Sequence, residues 1–234
     1  MTIISVAGSS SNSGKTSLAV SILKSISKGD WTAIKSTTVF DSGRICPRGS
    51  NCNVCGTLDR EGRDFKIIRD EHIILEPGTD TERLAHSGAK GVIWCISAFH
   101  AIERAWAGVR EILEPDEKIV MEGNSILTAV DPDLSLLVIN PYMRRSRWKD
   151  STERLIKSAD YVCINVNRLK GDPRGSQIVN EVADIRGRDD LIFADVTISV
   201  CEWEDKAIYE RLMNLNGGVS YEVPQVWQYR PYGL

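Results

Sequence analysis

Residues 7–20, AGSSSNSGKTSLAV, decide the fold. The apolar run TIISVA at residues 2–7 leads into them and is typical of a buried strand. After the Gly-Lys-Thr of residues 14–16, apolar side chains recur with helical spacing, at Leu18, Ile22 and Ile26. A strand, a tight loop and a helix therefore follow one another, which is the setting of a phosphate-binding loop, or P-loop.

The loop departs from the standard pattern G-x-x-x-x-G-K-[ST] at one position. Ser9 stands where the first glycine belongs, because Gly8 lies one residue earlier. Backbone N–H groups of such a loop can still converge on phosphate, aided by the helix N-terminus that follows. We expect Lys15 to reach the β and γ phosphates and the Thr16 hydroxyl to coordinate Mg²⁺. Further nucleotide contacts are predicted at Asn12, Ser13, Gly14 and Ser17.

Apolar runs of strand length alternate with helical patterns along the chain, which predicts an α/β fold with a doubly wound, mostly parallel sheet. One predicted strand covers residues 73–76. A P-loop domain is expected over residues 1–216, interrupted by a cysteine-containing insert at 41–66. Residues 217–234, rich in Gly, Pro and aromatics, are predicted to form an irregular C-terminal arm.

Composition narrows the functional classes. Of 234 residues, 42% are hydrophobic and 26% charged, and the formal net charge is -3. This balance argues against a nucleic-acid partner or a basic membrane-binding surface. No secretory leader or long apolar run is recognisable, so we expect a cytoplasmic protein.

Two carboxylates lie where a sheet of this kind would bind a ligand. Glu122 follows the apolar strand KIVM and suits Mg²⁺ or a Mg²⁺-bound water. Asp80 falls in the first turn of a short predicted helix that Thr79 and Glu82 would cap. For Asp80, a favourable interaction with the helix dipole is an equally good explanation.

Three segments carry a resemblance to known families. PGTDTERLAHSGA (77–89), IVMEGNS (119–125) and AIKSTT (33–38) resemble segments of the molybdopterin-guanine dinucleotide biosynthesis adaptor family and of dethiobiotin synthetase. The resemblance covers roughly residues 1–170 without the insert, and it implies a homodimer. It also implies Lys15 and Thr16 at the phosphates and Mg²⁺, Asp80 and Glu122 at Mg²⁺, and Lys35 facing the γ-phosphate or the substrate.

The identity of the base stays open. Asn165 follows a predicted strand, as the base-reading asparagine does in related GTPases, and Asn167 lies two residues on. Val166 and Arg168 replace the lysine and aspartate of the guanine motif Asn-Lys-x-Asp. Either ATP or GTP could bind, and both asparagines could equally well belong to a turn.

A cysteine cluster, CPRGSNCNVCG, spaces its thiols as C-x5-C-x2-C at Cys46, Cys52 and Cys55. Three thiolates can hold a [4Fe–4S] cluster or join a fourth ligand around Zn²⁺. His72, Cys95 or a partner subunit could supply that ligand. The alternative is a loop with incidental cysteines.

These features predict a Mg²⁺-dependent ATP- or GTP-binding protein that acts on a cofactor or metal centre, with Lys15, Lys35 and Glu122 as catalytic residues. A first alternative is an ATP-dependent ligase or small-molecule kinase, in which Lys35 and the arginines of YMRRSRWKD (142–150) hold an acidic substrate. That run could also be a solvated loop. A second alternative is a nucleotide-gated module that recruits a partner protein with little turnover.

Overall fold

The computed structural model describes residues 1–26, 29–39, 58, 62–167, 170–196 and 206–217. Within these residues the strands are β1 (Thr2–Gly8), β2 (Trp31–Val39), β3 (Phe65–Ile68), β4 (Gly91–Ala98), β5 (Lys118–Glu122), β6 (Leu134–Ile139), β7 (Tyr161–Asn165) and β8 (Leu191–Ala194). The α-helices are α1 (Lys15–Ile26), α2 (Glu71–Ile74), α3 (Asp80–Ala85), α4 (Ile102–Arg110), α5 (Thr152–Ser158), α6 (Gln177–Arg186) and α7 (Lys206–Leu215). Short 3₁₀ turns cover Phe99–Ala101, Ser125–Thr128 and Arg145–Arg147.

The strands form one sheet in the order β3-β4-β2-β5-β1-β6-β7-β8. Every pairing is parallel except that between β3 and β4. From β1 the chain passes to β2 and the edge strand β3, returns through β4 to β5 beside β1, and continues on the other side through β6, β7 and β8. Because the connections after the neighbouring strands β1 and β6 leave in opposite directions, the loop after β1 lies at the switch point. This confirms the predicted doubly wound, mostly parallel α/β sheet.

Helices cover both faces of this sheet. On β1, Ile4 and Val6 share an apolar cluster with residues of α1, whereas Ile3 shares a different cluster with residues of α4. Successive side chains of a strand point to opposite faces. Burial on both faces explains why the strand sequences are continuous apolar runs rather than alternating ones.

Strand register brings the site together. Val6 of β1 and Lys35 of β2 both lie beside Glu122, the last residue of β5. Because these strands are parallel, their carboxyl ends meet at one edge of the sheet, directly below the β1–α1 loop. We call this the carboxyl edge, and the opposite one the amino edge.

The structure corrects one predicted strand and adds another. Residues 73–76 do not form a strand: α2 ends at Ile74, and the Asp70 side chain caps its start by accepting from the backbone N–H of His72 at 2.9 Å. The sequence interpretation followed the apolar residues and overlooked this cap. Strand β3, which was not predicted, begins at Phe65 and so includes the last two residues of the 41–66 insert.

Other predictions meet the limits of the described residues. Cys46, Cys52, Cys55 and residues 218–234 lie outside them, so the cysteine site and the C-terminal arm stay predictions. Among the helices that the structure does describe, each is too short or too polar to cross a membrane.

Candidate functional site

The β1–α1 loop folds tightly over Gly8. A Cβ atom on Gly8 would lie 2.1 Å from Ser13 Oγ and 2.3 Å from Lys15 Cγ, so a side chain cannot fit there. Asn12 and Gly14 have positive φ angles of 57° and 104°, a region that glycine and asparagine tolerate best. The backbone conformation of the loop therefore favours Gly8, Asn12 and Gly14 at these positions, although Gly8 lies one residue before the place of the first glycine in the standard pattern.

Side chains from the neighbouring strand ends anchor the loop. Asn124, which follows β5, accepts a hydrogen bond from Gly8 N at 3.1 Å and donates one to Gly8 O at 3.0 Å. Lys149 N and Thr152 Oγ1 both donate to Ser9 O, at 2.8 and 3.1 Å. Asn165 Nδ2 donates to Ser13 O at 3.0 Å. The loop is thus held at both ends by residues distant in sequence.

Four charged side chains converge beside the loop. Lys35 Nζ lies 2.6 Å from Glu122 Oε1 and 2.5 Å from Asp80 Oδ2, and Lys15 Nζ lies 4.0 Å from Glu122 Oε1. The Thr16 hydroxyl donates to Glu122 Oε2 at 2.8 Å. The structure therefore gathers the five side chains Lys15, Thr16, Lys35, Asp80 and Glu122, which the sequence analysis had selected from four separate segments.

Burial makes these charges interact strongly. Glu122 is 1% exposed and Lys35 7% exposed, so water screens their attraction little. Burial on its own would raise the pKa of Asp80. The charge of Lys35 and hydrogen bonds from Lys35 and Thr16, with a smaller contribution from Lys15, outweigh it and lower that pKa, so the carboxyl is held ionised.

Helix α3 presents Asp80 to the site. The Thr79 side chain caps the helix by accepting from Glu82 N at 3.1 Å, while Glu82 Oε2 accepts from Gly78 N at 2.6 Å. Arg83, one turn along, donates to Ser17 Oγ at 2.8 Å. This contact ties α3 to the first turn of α1, next to the loop.

The residues present fit a triphosphate with Mg²⁺. Ser10 Oγ and Ser13 Oγ are buried in the loop and lack a hydrogen-bond partner in the part of the chain that the structure describes. Buried hydroxyls are normally satisfied, so a ligand oxygen is a natural partner for them. The oxygens of Thr16, Asp80 and Glu122 are the hard donors that Mg²⁺ prefers.

The asparagines predicted to read a base behave differently from the charged cluster. The Asn165 amide is used on the loop itself, through Ser13 O. The Asn167 backbone N–H donates a hydrogen bond to the Tyr142 hydroxyl oxygen at 3.2 Å. Neither residue joins the charged cluster, and their part in base recognition stays a prediction.

Sequence reasoning missed the anchors Asn124, Lys149 and Thr152. Asn124 follows Glu122-Gly123 at a strand end, a position that could have pointed to it. Lys149 lies in the β6–α5 connection and Thr152 begins α5, and no sequence pattern pairs either of them with Ser9. Their role depends on the order of β1 and β6 in the sheet.

No metal-binding group of three or more His, Cys, Asp or Glu side chains occurs within the described residues, which exclude Cys46, Cys52 and Cys55. Cys95, considered as a fourth ligand, is 1% exposed inside β4, and burial raises the pKa of its thiol to about 12. His72 lies in α2.

No protein-family model matches the chain, and no curated protein matches it. Among solved structures, the chain is similar to the MinC:MinD cell division protein complex of Aquifex aeolicus, at 15% sequence identity and a TM-score of 0.43. The similarity covers 96% of this chain and 99% of that one. Neither the fold nor the site rests on this likeness, because strand order and side-chain positions give both.

Proposed function

We propose that the protein binds a nucleoside triphosphate with Mg²⁺ at the carboxyl edge and uses it for hydrolysis or phosphoryl transfer. The observation that carries this proposal is the convergence of Lys15, Thr16, Lys35, Asp80 and Glu122 beside the loop over Gly8. Two lysines, two carboxylates and a hydroxyl next to the N-terminus of α1 are the components that phosphoryl transfer needs.

Each residue has a distinct part in this proposal. Backbone N–H groups at the start of α1 bind phosphate oxygens, and Lys15 adds its charge to them. Thr16, Asp80 and Glu122 hold Mg²⁺, which when bound neutralises charge on the phosphates. Lys15 and Lys35 stabilise the charge that develops on the transferred phosphoryl group. Asn12, Ser13, Gly14 and Ser17 shape the loop, and Asn165 and Asn167 are proposed to contact the base.

From the family resemblance we infer that the nucleotide drives a step on a cofactor or metal centre, with Cys46, Cys52 and Cys55 binding a [4Fe–4S] cluster or Zn²⁺. We further propose that the protein acts as a cytoplasmic homodimer and binds a partner protein in this role. Anaerobic purification followed by iron, sulfide and zinc analysis tests the cysteine site.

The nucleotide proposal is tested by titrating fluorescent ATP and GTP analogues into the wild-type protein and Lys15→Ala. We expect the variant to lose at least about a hundredfold in affinity, since charge-assisted phosphate contacts are worth roughly 1.5–3 kcal/mol each. Lys24→Ala, an exposed lysine of the same helix, is the matched control and should bind normally. Equal affinities for all three proteins would refute the site.

One observation favours the ligase or kinase alternative. Exposed Arg144, Arg145 and Arg147 immediately precede Lys149, whose backbone N–H contacts the loop at Ser9 O. Arg145 is paired with Glu153, which leaves Arg144 and Arg147 as the candidates for an acidic substrate. ADP release that depends on an added carboxylic acid, and that falls in Arg144→Ala, would support this alternative over simple hydrolysis.

A further inference from the structure

Lys35 occupies an unusual position for a lysine. Its ammonium lies 2.6 Å from Glu122 Oε1 and 2.5 Å from Asp80 Oδ2, between the two carboxylates proposed to hold Mg²⁺. We propose that Lys35 is a built-in cation that fills the metal position until nucleotide arrives, so that Mg²⁺ loading is coupled to nucleotide binding. This inference rests on the proposed function and deepens it.

The charge balance supports this assignment. Lys15 and Lys35 match the charges of Asp80 and Glu122, and the half-exposed Arg83 adds a third cation 3.9 Å from Asp80 Oδ1, so these side chains carry no net negative charge. A divalent ion that entered alone would have to displace the Lys35 ammonium from both carboxylates and leave it buried without a counter-charge. Such displacement is costly where burial weakens screening. Mg²⁺ by itself should therefore bind weakly.

Triphosphate changes this balance. Its oxygens bring negative charge to the loop beside Lys15, which gives the Lys35 ammonium a new partner. The movement needs only the side chain, because the Lys35 backbone is fixed between β4 and β5, opposite Trp94 and Glu122. A lysine ammonium on its flexible four-carbon stem is suited to such a change. The freed carboxylate oxygens of Asp80 and Glu122 then become available to the metal.

The second carboxylate oxygen of Glu122, Oε2, already lies beside the Thr16 hydroxyl, the other group proposed to bind the metal. Glu122 Oε2 accepts from the Thr16 hydroxyl at 2.8 Å, so the two groups proposed to share the metal touch each other in its absence. Among the described residues Lys35 bridges the two carboxylates and must leave, whereas Arg83 lies 3.9 Å from Asp80 Oδ1 on the exposed side. The departure of Lys35 distinguishes the proposal from a purely structural ion pair, which would stay intact.

The test measures Mn²⁺ binding to nucleotide-free protein by electron paramagnetic resonance. Lys35→Met removes the competing cation and should bind Mn²⁺ at least about tenfold more tightly than wild type. Lys35→Arg keeps a cation and should bind no more tightly than wild type. Lys90→Met removes a lysine from Glu117 at the amino edge, 3.0 Å away, and should leave Mn²⁺ affinity unchanged. Unchanged or weaker Mn²⁺ binding by Lys35→Met would overturn the proposal.

Folding is checked separately, since loss of Lys35 leaves Glu122 buried without its partner. Lys35→Gln keeps an N–H donor and should show the same gain in Mn²⁺ affinity. If both variants fold only with Mg²⁺ present, the metal has taken the place of the lysine, as proposed. Failure of both to fold even with Mg²⁺ would contradict the exchange.

Nucleotide titration of the wild-type protein distinguishes a failure of the lysine exchange from a failure of the proposed function. If wild type binds ATP or GTP but Lys35→Met gains no Mn²⁺ affinity, the lysine exchange is wrong and the proposed function stands. If wild type binds neither nucleotide, the proposed function fails, whatever the Mn²⁺ result.

Discussion

Two glutamates flank the length of strand β5, Glu117 just before its first residue and Glu122 as its last, and each is paired with a lysine and a threonine. At the amino edge Glu117 meets Lys90 at 3.0 Å and accepts from the Thr32 hydroxyl. At the carboxyl edge Glu122 meets Lys35 at 2.6 Å and accepts from Thr16. The two groupings use the same residue types, yet we assign a function only to the second.

The surroundings make the difference. The Lys90 side chain is 50% exposed, so its charge is satisfied by water as well as by Glu117. The Lys35 side chain is 8% exposed and held between two carboxylates, with a second lysine nearby. The carboxyl edge also has a tight loop with unpartnered buried hydroxyls, at Ser10 and Ser13 among the described residues. An ion pair thus indicates a site only when buried groups around it also lack partners within the described residues.

The largest effect is expected from Gly8→Ala. Its Cβ would lie 2.1 Å from Ser13 Oγ, which forces the loop out of its path. Nucleotide affinity should fall at least about a hundredfold while the sheet stays folded, because misplaced loop donors lose several charge-assisted hydrogen bonds. Isothermal titration calorimetry measures the affinity, and circular dichroism monitors the fold.

Gly91→Ala is the matched control for this loop. Gly91 begins β4 at the amino edge, and a Cβ there meets no atom within 4 Å. Nucleotide affinity should be unchanged. Equal losses in the two variants would mean that Gly8 acts through general stability and not through the loop.

An intermediate effect is expected when Glu117 and Glu122, at the two ends of β5, are changed separately. Glu122→Gln keeps the shape but removes a metal-binding charge, so the Mg²⁺-dependent part of nucleotide affinity should fall by roughly tenfold or more. Glu117→Gln should leave nucleotide affinity intact and lower the free energy of unfolding by about 1 kcal/mol, through its weaker hydrogen bond from Thr32. Titrations with and without EDTA, together with urea unfolding, would separate the two outcomes. A loss of nucleotide affinity in Glu117→Gln would remove the distinction between the edges.

The smallest effect concerns two interior thiols. Burial raises the pKa of both Cys95 and Cys163 to about 12, and a thiol reacts as its thiolate. At pH 8 these two should stay unreactive in the native protein, so a thiol reagent should label at most four of the six cysteines until denaturant is added. The native state holds these two protons more tightly than the unfolded state does. The free energy of unfolding should therefore fall as pH rises above about 8.5, the ordinary thiol pKa. Labelling of more than four native thiols at pH 8 would show that β4 and β7 are less buried than described.

Local patterns predicted the mostly parallel sheet, and the side chains selected from the sequence lie together in it. Lys15, Thr16, Asp80 and Glu122 each end a strand or start a helix, and parallel strands bring such positions to one edge. Residues 73–76 were mistaken for a strand because a short apolar run suits either element, and the helix that ends at Ile74 overlaps its first half. The anchors at Lys149 and Thr152 could not be predicted, because contact with Ser9 depends on β6 pairing with β1.

The most direct test of the account is a crystal structure of the protein with Mg²⁺ and a non-hydrolysable ATP or GTP analogue. We expect phosphate oxygens within hydrogen-bond distance of the backbone N–H groups of Gly14, Lys15 and Thr16. We also expect Mg²⁺ near Glu122, with Lys35 Nζ moved away from Asp80. A nucleotide bound elsewhere on the protein, with the charged cluster unchanged, would contradict it.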